Sequence, residues 1–230
     1  MKKYLTLFAI AIVALGSFTA SAQNEFQATT DKNGFYKVLD CPTSPSYFKA
    51  TAERNEDEGV FNVNIYHGRI LAQTIKCDVT SGDMHFLDAN FDGNLDIVVG
   101  PATARNYSTI LLWSDKAKQF VPTGVEINGY LLVNPKSKIW VGMSSDGATS
   151  TIYQIYNWDG DKFVVTESLI DFSDPNEYAT YGVETKYTLY EGSLDLYNSP
   201  EGVGRKCIRT NNIKKLPKDW QRIIDSFEKM

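Results

Sequence analysis

One segment of nine residues carries side chains whose types and spacing suit the binding of a metal ion. Residues 88–96 read DANFDGNLD, which is the pattern D-x-N-x-D-G-x-x-D. Oxygen donors at its first, third and fifth positions point inward when the backbone wraps around a cation, and Gly93 allows the sharp turn. Calcium takes about six to eight hard oxygen ligands, so the segment predicts a Ca²⁺ site. The expected ligands are Asp88, Asn90, Asp92, Asn94 through its main-chain carbonyl, and Asp96.

The predicted calcium loop differs from an EF-hand in its twelfth position and in its flanks. Position 12 is Val99 instead of the bidentate glutamate, and the residues on either side are apolar, as in strands. We therefore expect the ion to join the two strands of a β-hairpin, with Asp96 at the start of the second strand. Magnesium suits the segment less well because it demands a small octahedron and retains its waters. The competing interpretation is a plain acidic turn.

The rest of the chain shows the two-residue periodicity of strands. Residues 60–65 alternate in polarity, and the turn at 67–69 leads into a second run at 70–75, which predicts a hairpin. The other predicted strands are 85–87, 95–99, 109–113, 120–122, 138–143, 151–158, 163–167, 186–190 and 193–197. This spacing predicts an all-β fold, an antiparallel propeller-like or sandwich domain.

The predicted domain ends in one helix and follows a polar N-terminal extension. Pro217 suits a first helical turn, which predicts a short C-terminal helix over 217–229 that packs on a sheet. Its apolar face consists of Trp220, Ile223, Ile224 and Phe227. Residues 23–58 are polar and irregular in pattern, and no linker divides the remainder. We therefore expect a single β-rich domain over 59–230.

The first 22 residues have the features of a secretory signal peptide. A short basic start precedes an apolar run at 4–15, and residues 20–22 form a small-residue A-x-A end. The apolar run is too short for a transmembrane anchor, which needs about 20 apolar residues. No cysteine follows the cleavage site, which argues against a lipoprotein anchor. Loss of Lys2 and Lys3 changes the formal net charge from −5 to −7, because 21 basic side chains then face 28 acidic ones. The sequence predicts a periplasmic or secreted protein without a membrane anchor.

Charge and cysteine content narrow the function classes further. A pI near 5.1 argues against a nucleic-acid-binding protein, which needs basic side chains to neutralise phosphates. Cys41, Cys77 and Cys207 would reach a compartment that permits disulfides. The simplest expectation is one disulfide and one free thiol, and the sequence leaves all three pairings open.

Catalytic and sugar-binding patterns are weaker than the calcium pattern. The serines near 142–147 do not form G-x-S-x-G, His67 is expected in a solvated turn, and His85 is expected to pack beside the loop. We therefore expect no enzyme, although pairs of carboxylates for glycoside hydrolysis stay open. Six aromatic residues fit core packing, but an exposed row of them could stack on sugars or anchor a partner. They are Trp113, Trp140, Trp158, Tyr107, Tyr153 and Tyr156.

The calcium segment and its neighbours resemble one family. Residues 86–97 look like the calcium loop of FG-GAP/VCBS-type repeats, and more specifically like single-loop exported bacterial proteins. Weaker similarities are found at 63–75, 111–121 and 156–163, where the chain resembles that group's hairpins. The resemblance covers about residues 60–170 and implies an all-β domain with calcium as a structural ion. Some members of the group are periplasmic inhibitors of secreted lysozyme-like toxins.

Three functional hypotheses follow from these observations. The first is an exported, calcium-stabilised, non-enzymatic binding protein, with a lysozyme-like hydrolase as the partner, since an acidic surface suits a basic partner. The second is a carbohydrate- or surface-binding module that uses exposed aromatic residues. The third is a hydrolase whose site has no sequence signature.

Overall fold

The computed structural model of the protein describes residues 29–45, 48–101, 103, 106–145, 150–160, 162–172, 186–193 and 205–229. The predicted signal peptide and residues 194–197 of the last predicted strand lie outside these ranges. The described part is all-β with one short C-terminal helix, as the sequence predicted. It contains three antiparallel sheets and no closed barrel. No helix in the described ranges is long and apolar enough to cross a membrane.

The strands follow the chain as a series of hairpins. They are β1 (Tyr36–Lys37), β2 (Lys49–Asn55), β3 (Val60–His67), β4 (Ile70–Cys77), β5 (Met84–Leu87), β6 (Asp96–Val99), β7 (Tyr107–Ser114), β8 (Gln119–Asn128), β9 (Tyr130–Asn134), β10 (Ile139–Ser145), β11 (Ser150–Asp159), β12 (Lys162–Phe172), β13 (Tyr187–Glu191) and β14 (Arg205–Thr210). Two short 3₁₀ helices lie at Val38–Asp40 and Ile213–Lys215, and α1 spans Lys218–Phe227.

The strands form three sheets. Sheet A has seven strands in the order β1-β9-β10-β11-β12-β13-β14. Sheet B has the order β2-β3-β4, and sheet C has the order β5-β6-β7-β8. Every described strand pair is antiparallel, and almost every pair joins strands that are neighbours in sequence.

The sheets stack in layers, and sheet C lies in the middle. Successive side chains of a strand point to opposite faces, and each face of sheet C has its own apolar cluster. Ile97 and Val99 of β6 pack with sheet B, whereas Val98 between them packs with sheet A. Burial on both faces explains why β6 is apolar without alternation. Of the two predicted arrangements, the stacked layers are sandwich-like.

Helix α1 covers the outer face of sheet A. Leu132 and Val141 of that sheet belong to one apolar cluster with the four predicted helix residues. All four helix residues are buried. Pro217 precedes the first helical residue. Proline has no backbone N–H, and at the start of a helix an N–H group would have no partner within the helix. The predicted helix and its packing against a sheet are therefore confirmed.

A glycine is required where the chain passes from sheet C to sheet A. Gly129 separates β8 from β9 and has a φ of +88°, a left-handed conformation that side chains rarely adopt. A Cβ atom at this position would lie 1.9 Å from the Met143 carbonyl oxygen. Because of this close approach, only glycine fits where the chain leaves sheet C and enters sheet A.

Two expectations from the sequence differ from the structure. Residues 23–58 were expected to be irregular, yet their described part contributes β1 to sheet A and β2 to sheet B. The predicted disulfide is absent from the described residues, because Cys41 and Cys77 are free and every pairing of the three cysteines needs one of them. These two thiols are buried in different apolar clusters, and burial raises the pKa of Cys77 to about 11.

Candidate metal centre

The predicted calcium loop connects β5 to β6 at one end of the central sheet, which is the hairpin context expected from the sequence. Its first residue, Asp88, organises the turn through main-chain hydrogen bonds. The backbone N–H of Asp92 donates to Asp88 Oδ1 at 3.0 Å, and the backbone N–H of Gly93 donates to Asp88 Oδ2 at 2.9 Å. The chain therefore wraps around a half-buried carboxylate.

The other predicted ligands of the turn lie against one another. The Asn90 amide donates to Asp92 Oδ2 at 2.8 Å, and the backbone N–H of Asn94 donates to Asp92 Oδ1 at 2.8 Å. The backbone N–H of Asp92 is also 3.2 Å from Asn90 Oδ1. The structure thus brings the side-chain oxygens of Asp88, Asn90 and Asp92 together on one exposed turn.

The backbone of the turn has two left-handed residues. Gly93 has a φ of +90°, as expected for the glycine of the pattern. Phe91 has a φ of +62°, which is uncommon for a bulky side chain, and its ring packs against an apolar cluster. Strained backbone of this kind is often found at binding sites, where the surrounding structure maintains it.

Asp96 has a different setting from the other predicted ligands. It is fully buried, and its two oxygens accept main-chain hydrogen bonds at 2.8 Å from the N–H groups of Ala89 and Trp113. Asp96 therefore joins the start of the loop to β7. Its further role as a metal ligand stays a prediction.

Burial and mutual repulsion disfavour the ionised forms of these acids. Burial is the largest cause that raises the pKa of Asp96 well above its usual value, and the carboxylates of Asp92 and Asp88 add to it. Burial also raises the pKa of Asp88, although N–H donors such as Gly93 act in the opposite direction. A cation at the turn would relieve the repulsion between these acids.

The donor set fits a hard cation only if amide and main-chain oxygens take part. No group of three or more His, Cys, Asp and Glu side chains in the described ranges is placed to hold a metal ion. Within the turn, Asp88 and Asp92 supply the carboxylates, because Asp96 is buried. A further carboxylate, that of Asp115 between β7 and β8, accepts a hydrogen bond from the Asn94 amide at 3.4 Å. Asn90 and the carbonyl of Asn94 would have to complete the shell, and Ca²⁺ accepts such ligands.

Two tryptophans contact the loop from the neighbouring sheet. The indole N–H groups of Trp140 and Trp158 donate to the carbonyl oxygen of Ala89, at 2.9 and 2.8 Å. From the sequence, both residues were expected to be core or sugar-stacking aromatics. Their role at the loop is not detectable from the sequence, because Ala89 lies 51 and 69 positions away from them.

The residues considered for catalysis lie on three different strands. His85 is buried in β5 and its Nδ1 atom has no hydrogen-bond partner, whereas His67 is the exposed last residue of β3. Ser144 lies within β10 and not at a strand-to-helix turn. Burial is the largest cause that lowers the pKa of His85, which favours its neutral form.

Three of the six aromatic residues considered for sugar stacking are in the core. Trp140, Tyr153 and Tyr156 are buried, and Trp113, Trp158 and Tyr107 are partly exposed. Trp113 lines a pocket of about 160 Å³ between sheets B and C, together with Leu95 of the loop. Its other apolar walls include Phe48, Ile65 and Phe120, and its polar lining includes Lys118. The pocket is therefore a mainly apolar site with one basic side chain, beside the loop.

The pocket is held at the junction of two sheet edges. The Gln73 side chain donates to the Phe120 carbonyl at 2.7 Å and accepts from the Phe120 N–H at 3.0 Å, so it pairs β4 with β8. Ile70 is 73% exposed, lies opposite the pocket residue His67, and thus extends the apolar surface towards solvent. These contacts were not expected from the sequence, since they depend on how sheets B and C meet.

No protein-family model matches the chain, and no curated protein sequence matches it. Among solved structures, the chain is similar to that of a Xanthomonas type IV secretion system related protein. The similarity has a TM-score of 0.45 and 14% sequence identity, and it covers 80% of this chain and 98% of that chain. At this TM-score it carries no argument about fold or function. The resemblance to FG-GAP/VCBS repeats therefore rests on the loop and hairpin residues alone.

Proposed function

We propose that the protein is an exported, calcium-stabilised binding protein that acts without catalysis. The observation that carries this proposal is the turn at 88–94, in which three oxygen-bearing side chains converge around left-handed backbone. The loop joins two strands of the central sheet, so an ion there would stabilise the fold. The signal-peptide pattern at 1–22 supports export.

Four groups of the loop would hold the ion. These are the side chains of Asp88, Asn90 and Asp92 and the main-chain carbonyl of Asn94, with Asp96 behind them. Bound calcium would supply positive charge that offsets the repulsion between the carboxylates. Asp96 would continue to attach the loop to β7 through its two main-chain hydrogen bonds.

The apolar pocket beside the loop supports a binding role. A volume of about 160 Å³ is below the roughly 300–1,000 Å³ of ordinary small-molecule sites, but it suits one large apolar side chain of a partner protein. Anchor side chains that fill such pockets commonly dominate the energetics of protein interfaces. The partner we favour is a basic lysozyme-like hydrolase, because the mature chain is acidic. No observation on the described residues favours a carbohydrate platform in the same way.

Thermal unfolding with and without calcium tests the metal assignment. Binding to the folded state alone stabilises it by about 2.7 kcal/mol when the free ion is at a hundred times its dissociation constant. We expect EDTA to lower the Tm of the wild type and Asp92→Ala to abolish that sensitivity.

Asp57→Ala is the matched control for this experiment, because Asp57 lies in an exposed turn between β2 and β3, outside the loop. This variant should keep the wild-type response to EDTA. A wild-type Tm that does not change between calcium and EDTA would contradict the metal assignment.

A further inference from the structure

Ala89 lies in the loop between two predicted ligands, Asp88 and Asn90, and is held on both sides of its backbone. Its N–H belongs to the peptide that follows Asp88 and donates to Asp96 Oδ2 at 2.8 Å. Its carbonyl belongs to the peptide that precedes Asn90 and accepts from Trp140 and Trp158. Both peptide planes next to Ala89 are thereby fixed, and with them the directions in which the two ligands leave the backbone.

The two indole donors come from two paired strands of sheet A. Trp140 lies in β10 and is fully buried, and Trp158 lies near the end of β11. Phe163 of β12 contacts both, with ring centroids 5.9 Å from Trp140 and 4.6 Å from Trp158. Aromatic packing with Phe163 therefore helps to orient both indoles towards the loop.

One donor would satisfy the buried carbonyl of Ala89, yet two are present. A carbonyl oxygen has two lone pairs, and the two indoles use both. The second hydrogen bond is therefore not needed to avoid a buried unpaired acceptor. Its consequence is geometric, since two donors from adjacent strands fix the carbonyl in direction as well as in position.

We propose that Trp140 and Trp158 are positioning residues of the metal loop, which hold Asp88 and Asn90 in their ligand geometry through the carbonyl of Ala89. The inference rests on the proposed calcium site. It also links sheet A to the ion: if the two tryptophans strengthen metal binding, the bound metal must stabilise their arrangement by the same factor. Groups that orient metal ligands commonly change metal affinity by about 10–100-fold.

Calcium titration calorimetry on tryptophan variants tests the inference. Trp158→Phe and Trp140→Phe keep an aromatic ring and remove the indole N–H. We expect each to weaken Ca²⁺ binding, and the double variant to weaken it by about 10–100-fold. Trp220→Phe is the matched control, because its buried indole donates to Glu167 on the α1 side of sheet A. This control should bind calcium as the wild type does.

Hydrogen exchange provides a readout that a merely structural role would not change. In the wild type, calcium should slow exchange of the backbone N–H groups of β10 and β11, and Trp158→Phe should reduce this effect. Trp158 is partly exposed, so its replacement should leave the fold intact even if Trp140→Phe unfolds.

The outcomes separate the two proposals. A wild type that binds no calcium overturns the calcium site and this inference together. A wild type that binds, with a folded Trp158→Phe and double variant of unchanged affinity, overturns the inference and leaves the calcium site standing. If the double variant does not fold, unchanged affinity of Trp158→Phe alone overturns the inference.

Discussion

At the scale of single residues, the loop contains two kinds of carboxylate. Asp88 and Asp92 lie on the turn, where the first is half-buried and the second exposed, whereas Asp96 is fully buried in the central sheet. The same pattern D-x-N-x-D-G-x-x-D gave all three the same predicted role. Burial and partners separate them. Asp88 accepts two N–H groups from its own turn, whereas the fully buried Asp96 accepts from Ala89 and from Trp113 of β7, so it holds the loop to the sheet even without an ion.

Asp96→Asn should therefore destabilise the fold in the absence of calcium. The amide has one acceptor oxygen, so one of the two N–H groups would face an NH₂ group and lose its partner. Leaving a buried donor unpaired costs about 1–3 kcal/mol, and we expect the free energy of unfolding to fall by about that amount.

Urea unfolding in the presence of EDTA measures this effect apart from metal binding. Asp57→Asn removes the same charge from an exposed turn and should change the free energy of unfolding by less than about 0.5 kcal/mol. If the two variants are equally stable in EDTA, the structural role of Asp96 is wrong.

At the scale of elements, the hairpins and the terminal helix follow from local pattern. Residues 60–75 form β3 and β4 around a two-residue turn, as their alternation predicts. The helix buries its i, i+3, i+4, i+7 face on sheet A. Strands β1, β2 and β14 were not predicted, because short or polar segments become strands only when a neighbouring strand supplies their hydrogen bonds. Strand β9 was also missed, because a short apolar run without alternation does not by itself distinguish a strand from a helix.

Ile223→Ala should show how strongly α1 depends on that face. Ile223 is fully buried against sheet A, and large-to-small changes at such sites cost about 2–5 kcal/mol. Arg222→Ala, which removes only an exposed ion pair with Asp219, should cost less than about 0.5 kcal/mol. Denaturant unfolding of the two variants compares them, and similar losses would mean that the helix contributes little through packing.

At the scale of the whole molecule, acidity and layered burial have separate consequences. Sheet C is covered by sheets A and B, so the metal loop and the apolar pocket reach solvent only at its margins. If the predicted signal peptide at 1–22 is removed, the chain carries a formal charge of −7, from 21 basic and 28 acidic side chains. A negatively charged surface attracts basic partners, and dissolved salt shortens the distance over which this attraction acts.

Inhibition assays on basic lysozyme-like hydrolases test the proposed partner. We expect the protein to slow peptidoglycan hydrolysis by such an enzyme, and the inhibition to weaken as ionic strength rises, because screened charges steer association less. Ala72→Trp, which adds a large side chain at the pocket, should weaken inhibition at every salt concentration. Failure to inhibit any enzyme of this class from low to high salt would contradict the proposed partner.

The sequence by itself determined the all-β class, the terminal helix and the position of the loop between two strands. These features depend on local periodicity and turn chemistry, which act between residues a few positions apart. Tertiary structure decided which acid is buried, that Cys41 and Cys77 stay unpaired, and that Trp140 and Trp158 contact Ala89. Those outcomes depend on how separate sheets stack, and a one-dimensional pattern does not record which residues stacking brings together.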